Sequence, residues 1–80
     1  MKYVLSNQNV HMYCYRLTIK DEKNTYEAII EASASKNKTM LIWLEDFNFP
    51  TNEMECIKEE IEKYFAMRNI DCIFEPGKRV

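Results

Sequence analysis

The side chains best suited to metal binding or nucleophilic chemistry in this chain are one histidine and three cysteines: His11, Cys14, Cys56 and Cys72. Zinc accepts such ligands, but they usually come in close pairs on a turn, and Cys56 and Cys72 have no close partner. His11 and Cys14 fall in a predicted strand, where their spacing sends the two side chains to opposite faces. The spacing therefore predicts no metal site, no Cys–His nucleophile pair and no cofactor, and favours the cysteines as small packing residues.

Paired acidic side chains are the other feature that could do chemistry. Glu45-Asp46 and Glu59-Glu60 are adjacent in sequence, and nothing around them indicates a pocket that would shift a carboxyl pKa. The chain contains no GxSxG, P-loop or HExxH pattern, and its single glycine excludes a glycine-rich phosphate loop. The sequence therefore predicts a protein that is not an enzyme.

Length and composition limit the class of protein further. A chain of 80 residues makes one domain, residues 1–80, with a thin core. The net charge of −2, from 11 basic and 13 acidic residues, disfavours general binding of polyanions. No apolar run is long enough to cross a membrane, so no membrane partner is expected. An odd number of cysteines without a secretory signal is typical of a reduced, cytoplasmic protein.

Alternating apolar residues predict four strands in the first part of the chain. The clearest is residues 10–20, in which Tyr13, Tyr15, Leu17 and Ile19 share one face. Polar clusters that favour turns separate the strands, and the first of them, residues 6–9, closes a short first strand. The predicted strands are residues 2–5, 10–20, 25–34 and 39–44, of which the last is apolar on both faces.

Over residues 51–68 the apolar residues recur with the period of an amphipathic helix. Pro50 and a cap at either Asn52 or Thr51 mark its start, and a left-handed Asn69 would fold Ile70 back onto the last turn. The apolar face consists of Met54, Ile57, Ile61, Tyr64 and Phe65. Residues 70–75 then form a last short strand, and residues 76–80 a flexible tail.

The predicted fold is α+β, in the order β-β-β-β-α-β, with one antiparallel sheet of four or five strands. A single helix of this length can cover only one face of such a sheet. The covered face takes Tyr13, Tyr15, Leu17, Ile19, Tyr26, Ala28 and Ile30. The open face takes Met12, Cys14, Arg16, Thr18, Glu27, Ile29 and Glu31, with either Leu41 and Trp43 or Met40, Ile42 and Leu44.

Apolar side chains on the open face are the main indication of function, because contiguous exposed apolar area usually marks an interaction site. The candidates are Met12, Ile29, Leu41 and Trp43. Trp43 anchors a partner if it points away from the helix and belongs to the core if it points toward it. We therefore expect a small non-catalytic protein-binding module, an inhibitor or regulator, that docks on a different protein or pairs with a second copy of itself.

The helix offers a second candidate surface. Residues 51–75 carry seven acidic and three basic residues, and Glu55, Glu59 and Glu62 lie on the outer side of the helix. An acidic face of this kind can select a basic partner protein. The alternative is that these glutamates are only solvated, as most charged helix faces are.

Binding of single-stranded nucleic acid is the alternative function. Such proteins stack bases on sheet aromatics that lie in a basic groove. Tyr13 and Tyr15 share a face, and Lys36, Lys38 and the C-terminal basic residues could supply positive charge. The acidic balance disfavours this function, since attraction to phosphates would be weak.

Overall fold

The computed structural model describes residues 2–79, and their fold class is α+β, as the sequence predicts. Five strands make one sheet in the order β1-β2-β3-β4-β5, and one helix packs on one of its faces. The strands are β1 (Val4–His11), β2 (Cys14–Lys20), β3 (Thr25–Ala32), β4 (Thr39–Ile42) and β5 (Asp71–Phe74), and the helix is α1 (Met54–Ala66). Two 3₁₀ turns, Leu44–Phe47 and Thr51–Glu53, connect β4 to α1.

Strand β5 runs parallel to its neighbour β4, so the predicted antiparallel sheet is wrong at this one pairing. Met40 is aligned with Cys72 and Ile42 with Phe74. The other three pairings are antiparallel, as predicted. The physical reason is the connection: α1 carries the chain back along the sheet, so β5 starts at the same end as β4 and runs in the same direction.

Strand β1 is longer than the prediction, because the polar residues 6–9 belong to the strand and form no turn. The strand lies at an edge of the sheet and pairs with β2, where Ser6 is aligned with Thr18 and Gln8 with Arg16. Both Ser6 and Gln8 are exposed. Cross-strand pairing at a solvated edge therefore outweighs the local preference of these residues for a turn.

The predicted strand over residues 10–20 is interrupted by a tight turn at Met12 and Tyr13. Met12 has a left-handed backbone, with a φ of 50°. The side-chain amide of Asn9 donates hydrogen bonds of 3.0 and 3.1 Å to the carbonyls of Met12 and Cys14, which fixes the turn. Tyr13 and Met12 are 57% and 73% exposed at its tip, so Tyr13 does not lie under the helix and Met12 does not lie on the sheet face.

The helix confirms the predicted apolar face but is shorter than the prediction. Ile57, Ile61 and Phe65 are fully buried, while Met54 and Tyr64 pack against the core from its margin. A 3₁₀ turn replaces the predicted first turn of the helix, and no side-chain cap forms at the start of α1. Neither predicted capping residue, Asn52 or Thr51, therefore caps it.

The end of the helix follows the prediction closely. Asn69 has a φ of 60°, and the backbone N–H of Ile70 donates to the carbonyl of Phe65 at 2.9 Å. The N–H of Asn69 donates to the carbonyl of Ala66 at 3.0 Å. Together these bonds satisfy carbonyls that the last turn leaves free, as in a Schellman motif.

The core lies between α1 and one face of the sheet. Its side chains come from the centre of β2, β3 and β4, from the helix, and from the segments that flank them: Tyr3, Leu17, Ile19, Ile30, Met40, Ile42, Phe47, Phe49, Ile57, Ile61 and Phe65. Tyr15, Tyr26 and Ala28 pack against this cluster, as predicted for the covered face. Phe47 and Phe49, whose rings stack with centroids 4.9 Å apart, are core residues that the sequence pattern did not reveal.

Among the described residues, no helix combines the length and the apolar character that a membrane crossing requires. The flexible tail predicted for residues 76–80 stays a prediction, and Val80 lies outside the described residues.

Candidate protein-binding surface

The face of the sheet opposite the helix differs between its two halves. Residues aligned across neighbouring strands share a face, so the pairings assign every position. On β1 and β2 this open face is mostly polar: Ser6, Gln8, Arg16, Thr18 and Lys20, with Val4 and Cys14. On β3, β4 and β5 it carries Ile29, Leu41 and Ile73 together with the polar Thr25, Glu27, Glu31 and Asp71, in a register that aligns Leu41 with both Glu31 and Ile73. The open face therefore carries Arg16 and Thr18 on β2, where the sequence analysis places them, and its neighbouring apolar groups lie on β3, β4 and β5.

We call Ile29, Leu41, Trp43 and Ile73 the apolar patch. All four side chains are partly exposed, and none of them belongs to the core cluster or packs against it within the part of the chain that the structure describes. Of the two predicted registers for the fourth strand, the structure has the one with Leu41 outside, because Met40 and Ile42 are buried beneath the helix. Ile73 was missed as a site residue, although its alternation with Cys72 and Phe74 gave the signal.

Trp43 lies directly after β4 and keeps an extended backbone, with φ −110° and ψ 99°. Strand alternation therefore puts it on the same side as Leu41 and away from the helix. Continued by one further pair on the same face, the register of Glu31 with Leu41 would bring Trp43 opposite Ile29. The tryptophan thus extends the apolar patch at the end of β4.

The C-terminal segment borders the apolar patch. The guanidinium of Arg79 donates a 2.7 Å hydrogen bond and ion pair to Glu31 and contacts the sulfur of Cys14 at 3.4 Å. Its backbone N–H donates to the carboxylate of Asp46 at 3.2 Å. The hydrogen bond to Glu31 is the main reason that the pKa of Arg79 is raised above its ordinary value. The C-terminal segment therefore reaches the open face at Glu31 and Cys14, a contact that no local sequence pattern predicts.

Three large apolar side chains are exposed to water at the turn between β1 and β2 and at the end of β1 beside it. Val10, Met12 and Tyr13 are 40%, 73% and 57% exposed. The backbone N–H of Ala32 donates to the carbonyl of Tyr13 at 2.8 Å, so the turn is tied to β3 as well as to β2. Met12, predicted on the open face, thus belongs to an exposed tip at the margin of the sheet.

The predicted acidic surface of the helix is present as a separate feature. Glu55, Glu59 and Glu62 are exposed and recur at four- and three-residue steps, so they form one stripe along α1. The helix lies on the opposite side of the sheet from the apolar patch. The structure therefore does not bring the two sets of predicted site residues together, and one flat partner surface cannot contact both.

A partly buried hydrogen bond ties the residue before β1 to the 3₁₀ turn that precedes the helix. The hydroxyl of Tyr3, whose side chain is buried, donates to Oε1 of Glu53 at 2.6 Å. Burial and the neighbouring Glu53 carboxylate raise the pKa of Tyr3 well above its ordinary value. Glu53 is thereby given a structural partner, unlike the glutamates of the acidic stripe.

The predicted turn at residues 21–24 is confirmed, and a groove lies beside it. Oδ1 of Asp21 accepts hydrogen bonds of 2.8 and 2.6 Å from the N–H groups of Lys23 and Asn24, which lower the pKa of the Asp21 carboxyl. The groove, of about 570 Å³, is lined by Lys2, Asp21, Glu22, Lys23, Asn24 and Glu53. It lacks the apolar walls that hold small-molecule ligands.

The three cysteines lie in three different environments. Cys14 is on the open face, Cys56 is exposed on the helix, and Cys72 is half-buried on the covered face, where burial raises the pKa of its thiol to about 12. Within residues 2–79, no three histidine, cysteine, aspartate or glutamate side chains are close enough together to hold a metal ion.

Compared with known proteins, the chain matches no protein-family model, no curated protein and no solved structure. The assignment of a function therefore depends on the geometry of the chain itself.

Proposed function

We propose that this chain is a non-catalytic protein-binding module of the cytoplasm, an inhibitor or regulator that docks on a different protein through its apolar patch. The observation that supports this most directly is that Ile29, Leu41, Trp43 and Ile73 stay outside the core of a chain with few apolar residues to spare. A domain of this size needs nearly all of its large apolar side chains for stability. Leaving four together on the open face costs stability and suggests a binding role.

The character of the patch favours a protein over other partners. It is a flat strand surface, whereas small molecules bind in concave sites that enclose most of the ligand. For single-stranded nucleic acid, the module would need free aromatic rings in a basic surface. Of the two tyrosines predicted for this role, Tyr15 packs against the core and Tyr13 lies at the exposed turn beside the sheet. The basic residues that border the patch, Arg16 aligned with Ile29 and Arg79 paired with Glu31, alternate with the carboxylates of Glu27 and Glu31, so this surface is not a basic groove. Trp43 supplies the kind of aromatic anchor that is enriched at protein interfaces.

The acidic stripe on α1 remains a weaker candidate for the same role. Exposed glutamates on a helix are stable in water without a partner, so their presence requires no explanation by binding. Their position on the far side of the sheet also separates them from the apolar patch. We therefore assign partner binding to the patch and expect the stripe to affect only the rate of association with a basic target.

A capture experiment with matched variants tests the proposal. The chain is immobilised and exposed to an extract of its source organism, in parallel with Ile29→Thr/Ile73→Thr and with Glu55→Lys/Glu59→Lys/Glu62→Lys. Threonine keeps the branched shape that strands favour, so the first variant removes apolar area from the patch while leaving the core intact. The second variant changes the stripe alone.

We expect a protein that the wild type and the helix variant retain and the patch variant loses. Retention of the same protein by all three baits, or its loss only with the helix variant, would contradict the assignment to the patch. Light scattering on the purified wild type and patch variant tests whether a second copy of the chain, and not a different protein, occupies the patch. A wild-type dimer that the patch variant converts to a monomer would show that a second copy occupies the patch, against the proposal of a different protein.

A further inference from the structure

Strand β1 is a long edge strand whose segment from Val4 to Asn9 has neither the charges nor the prolines that usually protect a sheet edge against pairing with another strand. It is eight residues long, and from Tyr3 to Val10 the chain carries no charged residue and no proline. Natural proteins usually blunt sheet edges with charges, prolines, bulges or very short strands, because a free edge offers a row of unpaired backbone N–H and C=O groups. The one irregularity in β1 is a bulge between Asn9 and His11, which leaves the segment from Val4 to Asn9 regular.

The opposite edge of the same sheet is protected in the usual way. Strand β5 is only four residues long, begins with the exposed Asp71 and is followed by Glu75. The two edges of the sheet therefore differ in their protection: β5 is short and flanked by acidic residues, whereas β1 is long and carries no charge from Val4 to Val10. The difference suggests that β1 is kept free of charge because another strand pairs with it.

The side chains of β1 are complementary to a second copy of the same strand. In an antiparallel pair centred on Asn7, each residue lies opposite the one at the same distance on the other side of the centre. Ser6 then faces Gln8 of the partner subunit, and Val4 faces Val10 of the partner subunit, the residue in the bulge at the end of the regular segment. Val4 and Val10 are 66% and 40% exposed in the single chain, so this register buries both of the large apolar side chains that β1 leaves in water.

Asn7 adds an independent observation at the centre of this register. Its Oδ1 is buried and has no hydrogen-bond partner within residues 2–79. An unpaired buried polar atom is costly, and each one in a native structure needs an explanation. In the proposed register Asn7 lies directly opposite Asn7 of the partner subunit. A rotation of each amide about χ2 lets the two side chains exchange hydrogen bonds across the two-fold axis.

We propose that β1 pairs antiparallel with β1 of a second copy, centred on Asn7, to form a symmetric homodimer with one continuous ten-stranded sheet. The proposal does not depend on what binds the apolar patch, because the patch lies on β3, β4 and β5, which are separated from the β1 edge by β2. A symmetric contact of this kind closes on itself and leaves no further β1 edge for a third copy.

Two pairs of substitutions at exposed positions test the register. Ser6→Glu/Gln8→Glu puts like charges opposite each other twice across the axis, whereas Ser6→Lys/Gln8→Glu puts opposite charges there. Both variants keep the same glutamate beside Arg16, the residue aligned with Gln8 on β2. A third variant, Thr25→Glu/Gln8→Glu, matches the charge of the first but places the second glutamate on β3, at an exposed position away from the axis. Sedimentation equilibrium from micromolar to millimolar protein gives the dimer dissociation constants, and circular dichroism confirms the fold.

We expect a wild-type dimer whose dissociation constant is at least about tenfold higher in Ser6→Glu/Gln8→Glu than in Ser6→Lys/Gln8→Glu, with the Thr25→Glu/Gln8→Glu control between them. A wild type that stays monomeric up to millimolar concentration would overturn the proposal. A dimer with equal dissociation constants in the first two variants would overturn it as well, because its interface would then lie elsewhere.

Discussion

The hydrogen bond between Tyr3 and Glu53 gives the sharpest test of how this small domain is held together. It joins two residues that are 50 positions apart, at the start of β1 and at the entrance to the helix, with an oxygen–oxygen distance of 2.6 Å. The Tyr3→Phe substitution keeps the buried ring and removes only the hydroxyl. The resulting change in stability therefore reports the hydrogen bond with little contribution from packing.

The magnitude follows from the burial of the two partners. Hydrogen bonds to charged groups contribute about 1.5–3 kcal/mol to stability. Tyr3 is only 4% exposed, but Glu53 is half-buried, so water can replace the lost donor at the carboxylate. We therefore expect Tyr3→Phe to lower the free energy of unfolding by about 1–2 kcal/mol. For a domain of this size, that corresponds to a fall in Tm of about 5–15 °C.

Urea unfolding followed by the fluorescence of Trp43, the only tryptophan, measures this change. A double-mutant cycle with Glu53→Ala separates the pairwise interaction from the other effects of each substitution. We expect a coupling energy of about 1 kcal/mol. Independent losses that simply add in the double mutant would show that the two groups do not stabilise each other.

The same bond predicts a dependence on alkaline pH. Burial, followed by the hydrogen bond to Glu53, raises the pKa of Tyr3, so the folded protein keeps this phenol neutral at a pH where the unfolded chain loses the proton. Its contribution is therefore fully present below about pH 10 and is lost progressively as the pH rises above that value. Tyr3→Phe should show a shallower decline in stability above pH 10. A variant that matches the wild type within about 0.3 kcal/mol in water and has the same slope above pH 10 would refute the reasoning.

Two further predictions concern the core and the cysteines. Phe65→Ala should lower the free energy of unfolding by about 3–5 kcal/mol, because Phe65 is fully buried. The control Met67→Ala, at a side chain that is 83% exposed, should change it by less than about 0.5 kcal/mol. Equal losses for the two variants in urea unfolding would contradict the assigned core. Iodoacetamide at mildly alkaline pH, read by mass spectrometry of the peptides, should alkylate the exposed Cys56 at least about tenfold faster than Cys72, whose pKa is raised to about 12 by burial. Comparable rates at the two thiols would show that Cys72 is not buried in the folded protein.

Local patterns predicted those parts of the fold that local interactions determine. The apolar face of the helix could be predicted because Ile57, Ile61 and Phe65 recur at helical steps, and in the structure all three are buried. The end of the helix at Asn69 could be predicted because few residues other than glycine and asparagine readily adopt the positive φ that it has. In both cases neighbours in sequence are also neighbours in space.

The errors arose where the decisive contacts are distant in sequence. Residues 6–9 resemble a turn by composition, yet they form a strand because β2 pairs with them. The turn at Met12 and Tyr13 contains no glycine or proline, and the side chain of Asn9 stabilises it. The parallel direction of β5 follows from the path of the helix across the sheet. The residues of β5 itself, 71–74, contain no pattern that predicts this direction.

The candidate site shows the same division. Alternation predicted Ile29 on the open face, but it left two registers open for the fourth strand until the burial of Met40 and Ile42 put Leu41 on that face. The position of Arg79 over Glu31 joins the C-terminal segment to β3 across 48 residues. A single sequence carries no sign of such a contact, because a terminal basic residue is equally compatible with a free tail.

The order of the strands makes the two proposed interactions compatible. β1 lies at one edge of the sheet, and the apolar patch lies on β3, β4 and the far edge strand β5. With neighbouring strands about 4.8 Å apart, the patch begins roughly 10 Å from the proposed dimer contact. Pairing through β1 would therefore leave both patches free in the dimer. Because the two-fold axis of an antiparallel strand pair stands perpendicular to the sheet, both patches would also lie on the same face of the ten-stranded sheet.

Such a dimer would bind a target that carries two copies of a site far more tightly than a single chain could. The Ser6→Glu/Gln8→Glu variant would then weaken binding to a divalent target but leave binding to a monovalent fragment unchanged, whereas Ile29→Thr/Ile73→Thr would weaken both.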